Sequence, residues 1–265
     1  MANVRTILSF LDYTPTASEA DALFPVTNLA LYTVPFRPYK ATQQGSLVNV
    51  TLDLGSGNTL SGLAANPGIF LNPVNFTSIK LQANSVTSDW TTPPWTQSVT
   101  IAKDRWSGRY KAFLRFADLD AAAVAYRYIN VQIQAVASVD ALPYRIGEII
   151  VGQIVEWSIN PSGQPERVRH DHVRVSEFLD GGREVAKIGE PAMAFSYSRK
   201  LYSLMALNEQ LDLNDLGLDQ PFVLWDAALG NGSQDGFIVR RTEAMPLSQR
   251  FLSFNDGQLA LREVT

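Results

Sequence analysis

The 265-residue chain contains no cysteine. Disulfides, thiolate metal sites and cysteine nucleophiles are therefore all excluded. Charge is sparse: 18% of residues are charged and the formal net charge is -4. Lysine and arginine are scattered, with no basic stripe of the kind that marks a nucleic-acid partner. No apolar run approaches the ~20 residues that span a bilayer. The opening "MANVRTILSFLDYTP" lacks a basic region, an unbroken apolar run and a small-residue cleavage site, so no signal peptide is expected. There is no Gly-x-Ser-x-Gly elbow, HExxH helix or phosphate loop, and the expectation is a protein that is not an enzyme and carries no cofactor. What remains, at 46% hydrophobic residues, is the composition of a folded protein of one large or two ordinary domains.

Alternation of apolar and polar residues dominates the first half. In "YRYINVQIQA" Arg127, Ile129, Val131, Ile133 and Ala135 share one face. Tyr126, Tyr128, Asn130, Gln132 and Gln134 share the other. The pattern predicts a strand with Ile129, Val131 and Ile133 buried and the amides less so. "YRIGEIIVG" (144–152) predicts a second strand, read as the antiparallel neighbour of the first. In "LVNVTLDLGSG" Val48, Val50, Leu52 and Leu54 oppose Leu47, Asn49, Thr51 and Asp53, with Gly55 and Gly57 ending the strand. "NPVNFTSIKLQAN" and "RYKAFLRF" predict further strands. Six or more short strands separated by Gly, Pro and Asn turns indicate a mainly β fold, a β-sandwich or jelly roll.

Residues 158–165 are polar and rich in turn formers, which predicts a linker between a domain at 1–157 and a β-rich domain at 166–265. In the second half, Leu201, Leu204, Met205, Leu207 and Leu211 fall near helical spacing and Gly217 is a natural stop, so one crossing helix is expected. "QPFVLWDAAL" reads as a buried strand, and Gly181-Gly182 as a hairpin turn.

"VTLDLG", "NPVNFTSIKLQAN", "RYKAFLRF" before "YRYINVQIQA", and the closing "IGEIIVG" occur in an order that resembles a discoidin-type, galactose-binding-like jelly roll over residues 20–155. More narrowly they resemble its degenerate form in bacteriophage tail proteins. The cysteine pair of secreted discoidin domains is absent. A jelly roll followed by a second sandwich ending "PFVLWD…GFIVRR" resembles phage tail-tip or baseplate components. The resemblance implies a structural virion protein, made in the host cytoplasm and located in the tail tip. It would act through interfaces with other tail proteins in a symmetric multimer. The alternative, from a different class, is a carbohydrate-binding module that recognises host surface glycan.

Four aromatics are the candidates for either role. Trp90, Trp95, Trp106 and Tyr110 crowd the loop region of the first domain, and Pro93 and Pro94 stiffen the segment before Trp95. Flat rings stack on sugars and also anchor protein interfaces. His170 and His172 alternate along one strand face, but no third or fourth metal ligand accompanies them. The stretches "DLNDLG" (212–217) and "NGSQDG" (231–236), the latter with Asp235, resemble the first half of a calcium loop. Their twelfth positions are Val223 and Thr242, neither an acid, so no metal is expected.

Overall fold

The computed structural model describes residues 4–30, 38–43, 45–60, 66–86, 90–103, 108–116, 126–134, 138–158, 166–170, 173–177, 183–187, 192–201, 204–218, 220–225, 236–243, 247–251 and 254–263. The chain forms two compact units: Met1–Val155 with Trp225–Gly236, and Glu156–Leu224 with Phe237–Thr265.

The strands of the first unit are β1 (Arg5–Ile7), β2 (Thr14–Ala17), β3 (Tyr39–Lys40), β4 (Val48–Asp53), β5 (Pro67–Val74), β6 (Ser78–Asn84), β7 (Trp95–Thr100), β8 (Tyr110–Arg115), β9 (Tyr128–Ile133) and β10 (Arg145–Gln153). A 3-10 turn lies at Val26–Ala30, and β11 (Val155–Glu156) carries the chain onward. Two antiparallel sheets face each other. One has the order β2-β4-β9-β6-β7 and the other β3-β10-β5-β8. From β2 to β10 the chain changes sheet at every connection except the β6–β7 hairpin. That alternation makes the unit a jelly-roll sandwich.

Alternation in sequence sets what lies between the sheets. Val48, Val50 and Leu52 of β4, Ile129, Val131 and Ile133 of β9, and Ile79, Leu81 and Ala83 of β6 all point into one core. Ile69 and Leu71 of β5 and Ile149 and Val151 of β10 meet them from the opposite sheet. The registers Val50↔Val131 and Leu81↔Val131 align these residues in rows, so a one-residue slip would turn the whole set outward.

Two expectations require correction. β9 and β10 are not neighbours: β9 pairs β4 and β6, whereas β10 pairs β3 and β5. The connection between them is too long for a tight hairpin and crosses from one sheet to the other. Asn130 is also fully buried, although the alternation placed it on the wetter face. Gln82 beside it donates from Nε2 to the Trp90 carbonyl at 3.3 Å, which brings the Trp90 backbone to this part of the sheet.

The segment that returns to the first unit brings aromatic packing with it. Trp225 stacks on Phe113 with ring centres 6.0 Å apart. A Cβ on Gly236 would come within 2.6 Å of the Phe70 ring, so only glycine fits there.

The second unit contains β12 (Glu166–His170), β13 (Val173–Glu177), β14 (Arg183–Lys187), β15 (Ala192–Leu201), helix α1 (Leu204–Asp215), β16 (Phe222–Trp225, whose last residue belongs to the first unit), β17 (Gly236–Arg241, whose first residue does), β18 (Leu247–Phe251) and β19 (Phe254–Glu263). β16-β17-β19-β15-β12 are consecutive in one sheet, with β18 also on β19. β13 and β14 form a separate antiparallel pair. The helix covers the expected span but turns a different face inward. Ala206, Glu209, Gln210 and Leu213 are buried, while Met205 and Leu211 are exposed. Polar partners explain the choice: Glu209 Oε1 accepts from the Ser158 amide at 2.9 Å, so a charged side chain takes a place that leucine spacing would assign to an apolar one.

Candidate functional site

At one end of the sandwich three segments converge: the β5–β6 turn, the β7–β8 loop and the β9–β10 crossover. Asn75, buried in the turn, ties two of them together. Its Nδ2 donates to Asp140 Oδ1 (2.9 Å) and to the Pro143 carbonyl (3.0 Å), and its Oδ1 accepts from the Arg145 amide (2.6 Å). Its backbone carbonyl accepts from the Val139 amide at 2.8 Å. The crossover closes on itself as well, since Ser138 Oγ donates to the Leu142 carbonyl and Asp140 Oδ1 accepts from the Leu142 amide. These bonds hold Ala141 at φ 57°, the one positive φ outside glycine among the described residues. That conformation costs about 1–3 kcal/mol and persists only where surrounding bonds over-determine it.

The result is a pocket of about 310 Å³, near the lower limit of the ~300–1,000 Å³ usual for small-molecule sites. Tyr110, half-buried at the start of β8, forms one wall, with Val74 and Val139 as its apolar companions. Lys103, Arg109, Arg145 and Asp140 supply charge. Gly108 at φ 70° turns the β7–β8 loop back towards β8. Lys103 Nζ lies 5.5 Å from the Tyr110 ring centre, and Arg145 pairs with Asp140. Burial pushes the Asp140 carboxyl up, but the Asn75 amide, the Leu142 N–H and the Arg145 guanidinium together hold it below the usual carboxylate range.

A second polar surface is the outer face of the five-stranded sheet. The register places Thr16, Thr51, Asn130, Gln82 and Thr96 in one row, and Asn49, Gln132, Lys80 and Ser98 in the next. Asn130 Nδ2 lies 2.7 Å from Gln82 Oε1 and 2.9 Å from Asn49 Oδ1, and Gln132 Nε2 donates to Asn49 Oδ1 at 3.1 Å. Asp53 and Arg127 close one side with a two-pronged ion pair at 2.6 and 2.7 Å. The Arg127 hydrogen bonds hold the Asp53 carboxyl below its ordinary range, against the opposing effect of burial.

The three described aromatics, Trp90, Trp95 and Tyr110, do not form one surface. Trp95 is the first residue of β7, opposite Ala83, and its ring sits 5.3 Å from Phe116 against the core. Trp90 is half-buried, its carbonyl held by Gln82. Tyr110 opens β8 and Phe116 follows its last residue, roughly 20 Å away at the rise of an extended strand. Tyr110 therefore belongs to the pocket, and Trp90 and Trp95 to the other end of the sandwich. Trp106, His172 and Asp235 lie outside the described residues.

His170 is exposed on β12 and lines a trough of about 410 Å³ on the second unit's sheet, with Glu166 and Arg262. Among the described residues no three His, Cys, Asp or Glu side chains come together as metal ligands. The "DLNDLG" stretch runs off the end of α1, where Arg241 donates to Asn214 Oδ1 (3.1 Å) and to the Leu216 carbonyl. Sequence reasoning missed Asn75, Lys103, Arg109, Asp140 and Arg145. The available signal was the length of the 134–144 connection and its Ser, Asp and Pro content, which marks a built loop rather than a hairpin turn.

No family model matches the chain, and no curated protein matches it. Among solved structures it is similar to chitosan-binding module 1 from a chitosanase/glucanase of Paenibacillus sp. IK-5, at 19% identity over 55% of this chain and 97% of that one, with a TM-score of 0.35. Chitosan-binding module 2 of the same enzyme, in complex with chitotriose, gives 17% identity, 54% and 97% coverage and a TM-score of 0.37. The family 32 carbohydrate-binding module of C. perfringens NanJ, in complex with galactose, gives 13% identity, 57% and 99% coverage and a TM-score of 0.35. All three are carbohydrate-binding modules, and at these values no ligand residue of theirs is carried over.

Proposed function

We propose that the first unit is a non-catalytic carbohydrate-recognition module and that the pocket around Tyr110 is its site. The observation that carries this is the convergence of one aromatic ring with rigidly held polar groups in a small concavity. A sugar ring has an apolar C–H face and a rim of hydroxyls, and it needs that combination. Catalysis fits poorly. A glycosidase uses two carboxyl groups about 5–9.5 Å apart, one of them protonated. Asp140 is the one carboxylate among the described lining residues, and its partners keep it ionised. The test is affinity electrophoresis of the whole chain through gels containing different polysaccharides. Retardation by at least one, lost in Tyr110→Ala, supports the reading; migration unchanged in every gel contradicts it.

A second reading, assembly in a phage tail tip or baseplate, draws on a different surface. Val86, two residues beyond β6 at the Trp90 end of the sandwich, is an apolar side chain left 68% exposed. On this reading the chain forms symmetric multimers and co-sediments with tail particles. A chain that stays monomeric and sediments apart from the particles counts against it.

A further inference from the structure

The charges in the pocket narrow the ligand class, if the first unit is a carbohydrate-recognition module. Lys103, Arg109 and Arg145 contribute three positive charges against the single negative charge of Asp140. Arg145 pairs with Asp140, and the described lining as a whole carries an excess of two positive charges. The remaining charged residues of the β7–β8 loop, Asp104 and Arg105, cancel in the sequence. This excess is local, because the chain as a whole has a formal charge of -4.

Geometry sharpens the point. The exposed Lys103 holds its ammonium 5.5 Å from the centre of the Tyr110 ring, in cation–π contact. A neutral sugar stacking there must displace a cation and offers it only uncharged hydroxyl acceptors in return. A ligand with a negative substituent meets the same ammonium with a full opposite charge, an attraction that a hydroxyl acceptor cannot supply. Arg109, next in sequence to Tyr110, offers a planar fork that matches carboxylate and sulfate oxygens. Asp140 already shows that a carboxylate fits here, since it sits against Arg145 in this pocket.

We infer that the pocket selects an acidic sugar, one whose ring lies against Tyr110 and whose anionic group is met by Lys103 and Arg109. The charge is that of a carboxylate or a sulfate, which present the same oxygens to these two side chains. The inference rests on the carbohydrate-recognition reading, and the experiment separates the two. Calorimetric titrations of the whole chain at about 0.15 M salt use polygalacturonate, sulfated dextran and a neutral galactan. The expected result is binding of at least one acidic polymer at least tenfold tighter than the galactan, with whichever binds identifying the anionic group. Lys103→Gln reduces that preference about tenfold, and circular dichroism of the variant is unchanged. Galactan bound as tightly as the acidic polymers, and lost in Tyr110→Ala, overturns the inference while leaving the module reading intact. Acidic binding that survives both Lys103→Gln and Arg109→Gln overturns it too, by placing the polymer elsewhere. No binding of any polymer overturns both.

Discussion

Glu148 on β10 stands directly opposite Asn72 on β5, and both side chains are buried on the sheet face turned away from the sandwich core. Their neighbours Ile149 and Leu71 point into that core, which fixes the direction of this pair. Burial pushes the Glu148 carboxyl up to about 7. Asn72 Oδ1 has no hydrogen-bond partner among the described residues, and a protonated carboxyl is the kind of donor it lacks.

A dependence of stability on pH follows. The folded state holds the Glu148 proton more tightly than the unfolded chain, whose carboxyl titrates near the ordinary 4.5. The stabilisation is fully present below the unfolded value and is lost as pH rises through about 7. At roughly 1.4 kcal/mol per pH unit, this group contributes about 3 kcal/mol between pH 4.5 and 8. Urea unfolding at pH 5 and pH 8 checks it. Glu148→Gln keeps the shape without the charge, so its stability should fall less over this window and should exceed that of the parent chain at pH 8.

The inner row of the sandwich gives the second expectation. Ile133 is fully buried and faces Val48 and Ile79 on the strands at either side. Ile133→Ala should cost about 2–5 kcal/mol. A loss under about 1 kcal/mol in equilibrium unfolding would show that this position collapses freely and is not part of a close-packed core.

The two tryptophans should behave differently. Trp95 packs on Phe116 and against the core, so Trp95→Ala should destabilise the fold by about 1–3 kcal/mol, less than for a fully buried tryptophan. Trp90 is held through its backbone carbonyl, which alanine also has, so Trp90→Ala should stay within about 1 kcal/mol of the parent chain. Equal losses in thermal melts of the two variants would contradict this separation.

Much of the fold is legible along the chain. The alternation of β4, the inner face of β9 and the span of α1 each follow from local spacing. Alternation, however, says which side of a strand is apolar and not which strand lies beside it. For that reason β9 and β10 read as partners although they belong to opposite sheets. Asn130 looks wet because its neighbours are amides, yet it is fully buried and bonded to Asn49 and Gln82. The site was the least legible part. Asn75, Lys103 and Asp140 are unremarkable turn and loop residues until the jelly-roll connections bring them to one end of the sandwich. Trp90 and Trp95, close to Tyr110 in sequence, are held away from it by the length of β7.

The central claim is that a sugar enters the pocket at the Asn75 end of the sandwich. Backbone amide NMR of the isotope-labelled whole chain, titrated separately with oligogalacturonate, sulfated dextran oligomer and galactan oligomer, tests where binding occurs. The account predicts saturable shift changes at Asn75, Lys103, Gly108, Tyr110, Asp140 and Arg145, with Trp90, Trp95 and the outer sheet row unmoved. Changes confined to the Trp90 end, or no saturable change anywhere, would contradict it.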